Sequence, residues 1–181
     1  MGFFNNHSQV VSITKAGKEH YQLLTAIGKQ SFIESHGHSA NEKDIKSYVN
    51  EKFTDEISRM ELIDTNNIYH IIYLDNQPAG YSKIIFNTPH PEIPVQNITK
   101  LERIYLLKKF YDLKPGVELF QFNIDLSKQN NQAGMWLYVW KENERAINFY
   151  IKNGFVIAGS YDFKISDIPA WLFCFDKSIL N

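Results

Sequence analysis

The sequence predicts an α/β (α+β) fold, a mixed, mostly antiparallel central sheet flanked by helices. Three observations carry this. Met135 to Trp140 is an apolar run without alternation, rich in aromatic and branched residues, as expected of a strand buried on both faces in the middle of a sheet. Early in the chain, Tyr21, Leu24, Ile27, Gly28, Ser31 and Phe32 recur at helical spacing. After these helical segments, strand-like and helix-like runs alternate, an order that lays helices on a sheet.

Val11 to Thr14 reads as a short first strand, and about Lys18 to Glu34 as the first helix. Ser35 to Ala40 is a polar break with a glycine. A second helix is expected over Asn41 to Lys52, with Ile45, Tyr48 and Val49 inward, and a short third over Asp55 to Ile63. Ile68 to Leu74 and Ala79 to Phe86 are strands, joined by Asp75, Asn76, Gln77 and Pro78, whose residue types make a hairpin turn. Asn87 to Thr99 holds Pro89, Pro91 and Pro94 and is expected to be a loop without regular hydrogen bonding. Leu101 to Leu107 is a strand, Lys114 to Asn130 a helix and Gly134 to Trp140 the central strand. Asn143 caps a helix that Gly154 ends. Phe155 to Ile165 and Trp171 to Ile179 close the sheet as an antiparallel pair. No repeat, linker or low-complexity segment interrupts the chain, so residues 1–181 read as a single domain.

Composition narrows the function. Hydrophobic residues make up 44% and aromatics 14%, ample material for a core. Nineteen Lys and Arg against 20 Asp and Glu leave a net charge of -1, which argues against a general nucleic-acid binder. No apolar stretch approaches the roughly 20 residues needed to span a bilayer, and Met1 to Val10 lacks the features of a secretion signal. The single Cys174 excludes an intramolecular disulfide and fits a reducing compartment, so a cytoplasmic location is the expectation. Within Trp171 to Phe175 it reads as a small buried hydrophobe.

The most informative stretch runs from Asn143 to Phe155. Its helix lines up Asn143, Ala146, Tyr150 and Gly154 along one side, so a polar cap, a small residue and a phenol share a face. Buried strand, turn, short helix, then Gly and Phe: through Asn143, Ala146, Phe149, Tyr150, Gly154 and Phe155 this resembles the last conserved motif of the GNAT superfamily of acyl-CoA N-acyltransferases. The order of elements is similar over nearly the whole chain.

The resemblance implies an acetyl-CoA-dependent N-acetyltransferase acting by direct transfer. In that family the strand at Leu101 to Leu107 and the one at Gly134 to Trp140 start paired and splay apart to admit the pantetheine arm. Carried over, Ile104, Tyr105, Leu106 and Leu107 line that arm, and a backbone amide near Leu106 polarises the acetyl carbonyl. Tyr150 protonates the departing CoA thiolate, Glu102 is the candidate base acting through water, and Asn143 and Ala146 meet the cofactor. The pyrophosphate turn departs from the family pattern: Tyr111, Asp112, Leu113, Lys114, Pro115 and Gly116 keep only the last glycine. Pro115 suits the first helical position and is expected to push Lys114 into the extended conformation of a cap. Lys108, Lys109 and Lys114 could supply charge in place of lost hydrogen bonds.

Leu101 to Leu106 together with Val139 to Ala146 looks like the bacterial spermidine and spermine acetyltransferases of the PaiA kind, which implies a small primary amine, such as a polyamine, as acceptor. Glu34, His36 and Tyr81 are expected to bind it, with His38 and His90 as further contributors. His36 and His38 make too small a set for a metal site, and no metal is expected. A protein or peptide N-acetyltransferase and a non-catalytic acyl-CoA-binding module are the alternatives. A homodimer is left open.

Overall fold

The computed structural model describes residues 9–37, 41–141, 143–163 and 168–176, with side chains described up to Ser160. In order these form β1 (Val11–Lys15), α1 (Tyr21–His36), α2 (Glu42–Lys52), α3 (Asp55–Ile63), β2 (Ile68–Leu74), β3 (Gln77–Ile85), β4 (Ile98–Leu106), α4 (Pro115–Gln129), β5 (Gly134–Trp140), α5 (Glu144–Lys152), β6 (Val156–Phe163) and β7 (Ile168–Asp176). Short 3-10 turns cover Lys18–His20 and Lys108–Leu113. The strands run β1-β2-β3-β4-β5-β7-β6 in the sheet. The pairs β1/β2, β5/β7 and β6/β7 are antiparallel and β4/β5 is parallel, so the sheet is mixed as the sequence predicts.

The chain resolves into two compact units. The first takes Met1–Ser82 and Ile104–Phe120. Its core gathers Leu24 and Ile27 of α1, Tyr69, Ile71 and Ile72 of β2, Tyr81 of β3 and Leu119 of α4. A second cluster joins Ile45 and Val49 of α2 and Phe53 to Phe32, Tyr48 and Tyr105. The helices start where side chains satisfy their orphan amides: Asn41 Oδ1 accepts from the Asp44 amide at 2.9 Å, and Thr54 Oγ1 from the Ile57 amide at 3.1 Å. The hairpin turns through Asp75 and Asn76, whose φ of 48° and 64° are the left-handed values a two-residue turn of this hand requires. Pro78 therefore lies inside β3, two residues beyond the turn proper.

At Gly80 the chain comes against β4. A Cβ there would collide with the Tyr105 carbonyl oxygen and lie 2.6 Å from Leu106 Cδ2, so only glycine permits this approach. The Leu107 amide donates to the Ala79 carbonyl at 2.9 Å.

The second unit takes Lys83–Arg103 and Gln121–Asn181. Its parallel ladder pairs Ile98 with Gly134, Thr99 with Met135 and Lys100 with Trp136, then stops, although β4 runs on to Leu106 and β5 to Trp140. The paired rungs precede the predicted strand start, because Ile98 and Thr99 belong to β4 and not to the proline-rich loop. A buried hydrogen bond of 2.6 Å between the Thr99 and Ser127 hydroxyls ties β4 to α4. The loop itself is packed: Ile93 and Val95 cluster with Ile98, Trp136 and Tyr138. Gln132 holds Asn87 by two hydrogen bonds of 2.9 and 3.0 Å.

Candidate active site

In the second unit, the chain leaves β5 and enters α5 at Asn143, whose Oδ1 accepts from the Ala146 amide at 3.1 Å. That bond commits the side-chain carbonyl to capping and leaves the amide nitrogen as the group a cofactor could meet. One face of α5 carries the half-buried Ala146 and the buried Tyr150, while Glu144 and Arg145 are exposed. Tyr150 is 6% exposed, its ring 5.4 Å from that of Phe149 and 5.8 Å from that of Phe155. Burial pushes its phenol far above the ordinary value, so it stays protonated at any pH an amine acetylation would use. Gly154, at φ 85°, reverses the chain so that the Phe155 amide reaches the Tyr150 carbonyl at 3.0 Å.

On β4 of the same unit, Glu102 Oε2 pairs with Lys100 Nζ at 2.5 Å, both side chains being about a quarter exposed. The same ammonium lies 5.1 Å over the Trp136 ring. Trp136 Nε1 donates to the Thr88 carbonyl at 2.7 Å. His90 stands edge-on to that ring at 4.8 Å, and its Nε2 lies 2.7 Å from the Tyr138 hydroxyl. The Glu92 amide donates to His90 Nδ1 at 3.2 Å, which makes Nδ1 the acceptor and Nε2 the donor toward Tyr138. Burial, ahead of the Lys100 charge, lowers the pKa of His90 against the opposing pull of Glu92, which agrees with this neutral form. Sequence reasoning had Glu102 but missed Lys100, Trp136 and Tyr138. The available signal was spacing, with charges two apart on β4 and aromatics two apart on β5.

In the first unit, Ile104, Tyr105 and Leu106 are half-buried at the end of β4, and Leu107 belongs to the core. Leu107 donates to β3, so by strand alternation the Leu106 amide points away from β3. Tyr111, Asp112 and Leu113 form the end of the 3-10 turn. Lys114 corrects the sequence expectation. It is left-handed, at φ 57° and ψ 33°, rather than extended. Its amide donates to the Tyr111 carbonyl at 3.1 Å, so Lys114 closes the turn behind it as a C-cap, and that demand wins over the cap of the helix ahead. A Cβ at Gly116 would lie 2.6 Å from Leu106 Cδ1, so the start of α4 abuts the end of β4. Lys109 Nζ lies 4.6 Å over the Phe110 ring.

Three expected acceptor residues fall in this unit. Glu34 Oε2 accepts from the Lys108 amide at 2.7 Å, tying α1 to the first residue of the 3-10 turn. His36 stacks on Phe32 at 4.6 Å, with Nδ1 2.6 Å from the Ser35 hydroxyl. Tyr81 is 2% exposed, edge-on to Tyr105 at 5.5 Å, a core residue that as placed offers no face to a ligand. His38 and the side chain of Cys174 lie outside what is described. Among the described residues no group of three or more His, Cys, Asp or Glu gathers to hold a metal, and no helix is long and apolar enough to cross a membrane.

Comparison with known proteins gives the family. Residues 30–155 match the acetyltransferase (GNAT) family. An N-acetyltransferase of Lactobacillus delbrueckii subsp. lactis, described as uncharacterised and in the pepI 3′ region, is 24% identical over 94% of this chain and 98% of its own. Spermidine N(1)-acetyltransferase of Thermoplasma acidophilum is 23% identical over 81% of this chain and 89% of its own. The crystal structure of the PaiA N-acetyltransferase from Thermoplasma acidophilum, in complex with coenzyme A, superposes with a TM-score of 0.75 at 19% identity over 92% of this chain and 99% of that one. The chain belongs to the GNAT family of acetyltransferases, enzymes that move an acetyl group from acetyl-CoA to an amine.

Proposed function

We propose that the whole chain acts as one catalytic domain that acetylates a small primary amine, a polyamine being the favoured acceptor, by direct transfer from acetyl-CoA in the cytoplasm. The amine nitrogen attacks the thioester carbon, the C–N bond forms and the oxyanion is stabilised by the Leu106 amide. As the intermediate collapses the C–S bond breaks, and Tyr150 gives its phenolic proton to the departing thiolate and is reprotonated from water. Glu102 takes up the proton released by the amine through water. Ile104, Tyr105, Leu106 and Leu107 run along the pantetheine arm. The turn from Tyr111 through Lys114 to Gly116 meets the phosphates with the charge of Lys108, Lys109 and Lys114, and Asn143 and Ala146 meet the cofactor beside Tyr150.

The observation that carries this reading is Tyr150, a buried phenol held neutral on a helix whose whole motif fits the family. The distant spermidine acetyltransferase supports a polyamine over other amines. The test is thiol release from acetyl-CoA against a panel of polyamines, amino acids and peptides, with Tyr150→Phe in parallel. Release with polyamines that collapses in the variant is the expected result. Release only with peptides would move the acceptor to protein amines, and CoA binding without release would make the chain a non-catalytic module.

A further inference from the structure

We propose that Trp136 and Glu102 form a docking site for an unbranched primary alkylammonium, that Lys100 occupies this site in the free protein, and that the acceptor amine enters by displacing Lys100. The inference deepens the reading of the enzyme as a small-amine acetyltransferase and rests on it. An alkylammonium needs two things away from bulk water, a counter-charge and an electron-rich face. Both are present on one side of the sheet, with the Glu102 carboxylate 2.5 Å from Lys100 Nζ and the Trp136 ring 5.1 Å below it. Lys100 and Trp136 face each other on the last paired rung of β4 and β5, and Glu102 is two residues further along β4, where the ladder has ended. The occupant thus sits at the end of the paired rungs.

The walls are fixed and the occupant is free to leave. Trp136 is 4% exposed, and the indole N–H bond to Thr88 at 2.7 Å together with His90 and Tyr138, edge-on at 4.8 and 5.3 Å, keeps the ring from turning. Lys100 hangs on four methylenes and regains rotamer freedom when it swings out. Exchange of one ammonium for another never leaves the Glu102 carboxylate without a counter-charge, so displacement avoids the cost of a stranded ion.

Lys100 also shows what the site selects. Its terminus is a methylene bearing a bare ammonium, the terminus of an aliphatic polyamine. An α-amino group carries a carbonyl on the neighbouring carbon, whose oxygen would face the Glu102 carboxylate. Amino acids and peptide N-termini are therefore disfavoured by repulsion as well as by shape.

Lys100→Met empties the site while keeping most of the stem volume. The KM for 1,5-diaminopentane should fall about tenfold in this variant, while the KM of alaninamide moves less than about twofold. Adding Glu102→Gln should cancel the gain, with thermal melting to confirm folding of each variant. Equal shifts for both amines, or none, would overturn the proposal, as would a preference for alaninamide in both proteins while transfer itself proceeds. Calorimetric titration of Lys100→Met with diaminopentane, in the presence of CoA, separates binding from chemistry. Tight binding without thiol release in any variant would retain the docking site and remove the transferase reading.

Discussion

Tyr150→Phe removes one oxygen from a ring that stays packed between Phe149 and Phe155, so chemistry and fold separate cleanly. Loss of a buried hydroxyl should lower stability by about 1 kcal/mol, a shift of about 2–4 °C in Tm for a chain of this size. The chemical effect is larger. A phenol at its ordinary value of about 10 would already be about 1% ionised at pH 8, and burial of Tyr150 reduces that fraction further. The acid form is therefore always present in the wild type and always absent in the variant. General acids contribute about 10²- to 10⁴-fold, and a thiolate leaves readily enough to place this case at the lower end. Loss of about 10²-fold in the transfer step corresponds to about 2.7 kcal/mol of barrier. Single-turnover thiol release at pH 7 and 9 measures that step without product release. The acetyl-CoA KM should stay within about threefold, since the ring proposed to line the cofactor remains. The reasoning fails if the transfer step of Tyr150→Phe lies within about twofold of wild type, or if wild-type transfer declines between pH 8 and 9.5 with an ionisation that Tyr150→Phe abolishes.

Three further outcomes are expected. His70 on β2 is 7% exposed, and burial first, then the Lys15 charge, lower its pKa to about 4. The unfolded chain thus binds more protons between about pH 4 and 6.5, so stability is complete above that window and falls by up to about 3 kcal/mol as pH drops through it. Urea unfolding of His70→Gln should lack this slope, and an unchanged slope would remove His70 as its source. Gly80→Ala should cost about 1–3 kcal/mol through collision with the Tyr105 carbonyl, seen as a lower Tm, and should raise the acetyl-CoA KM by shifting the end of β4. Lys114→Gly relieves a left-handed residue, worth about 1 kcal/mol. It also removes a cation from the proposed phosphate turn, so Tm should rise while the acetyl-CoA KM rises about tenfold. A KM left unchanged would make Lys114 a purely conformational residue.

What was legible in the sequence was what local chemistry decides. Asp75 and Asn76 announce a turn because they tolerate positive φ, and Asn143 announces a helix start because its oxygen reaches the third amide ahead. The Tyr150 helix was legible because three- and four-residue spacing suffices to share a face. Longer-range choices were hidden. Ile98 and Thr99 follow three prolines and look like loop until their pairing with Gly134 and Met135, far along the chain, makes them strand. The insertion of β7 between β5 and β6 has no local signature. Lys114 stood under two opposing demands, one from Pro115 ahead and one from the turn behind, and the sequence does not weigh them. Tyr81 looked available because a lone tyrosine in a strand has no preferred face until the neighbouring layers are known. On both sides of it β3 is buried from Ala79 to Ile84.

In the proposed mechanism Glu102 and Tyr150 would meet opposite chemical needs by different means. Transfer requires a group that keeps a proton until sulfur needs it and a group that stays charged until nitrogen sheds one. Tyr150 would meet the first by burial, which penalises the phenolate and keeps the phenol neutral through the neutral and mildly basic range. Glu102 is placed differently: it remains about a quarter exposed and pairs with Lys100. That arrangement has a cost, since a paired carboxylate is not free to act. Displacement by a substrate with the same head group, as proposed, would remove the cost, because the incoming ammonium would replace the resident one and bring the reacting nitrogen with it. Lys100 is then needed most when the site is empty, so its deletion should tighten alkylamine binding yet leave Glu102 without a counter-ion in the free enzyme. A protein that binds diaminopentane better and melts lower than wild type carries the signature of an internal substrate mimic, whereas a purely structural ion pair along one strand would give the lower melting temperature alone.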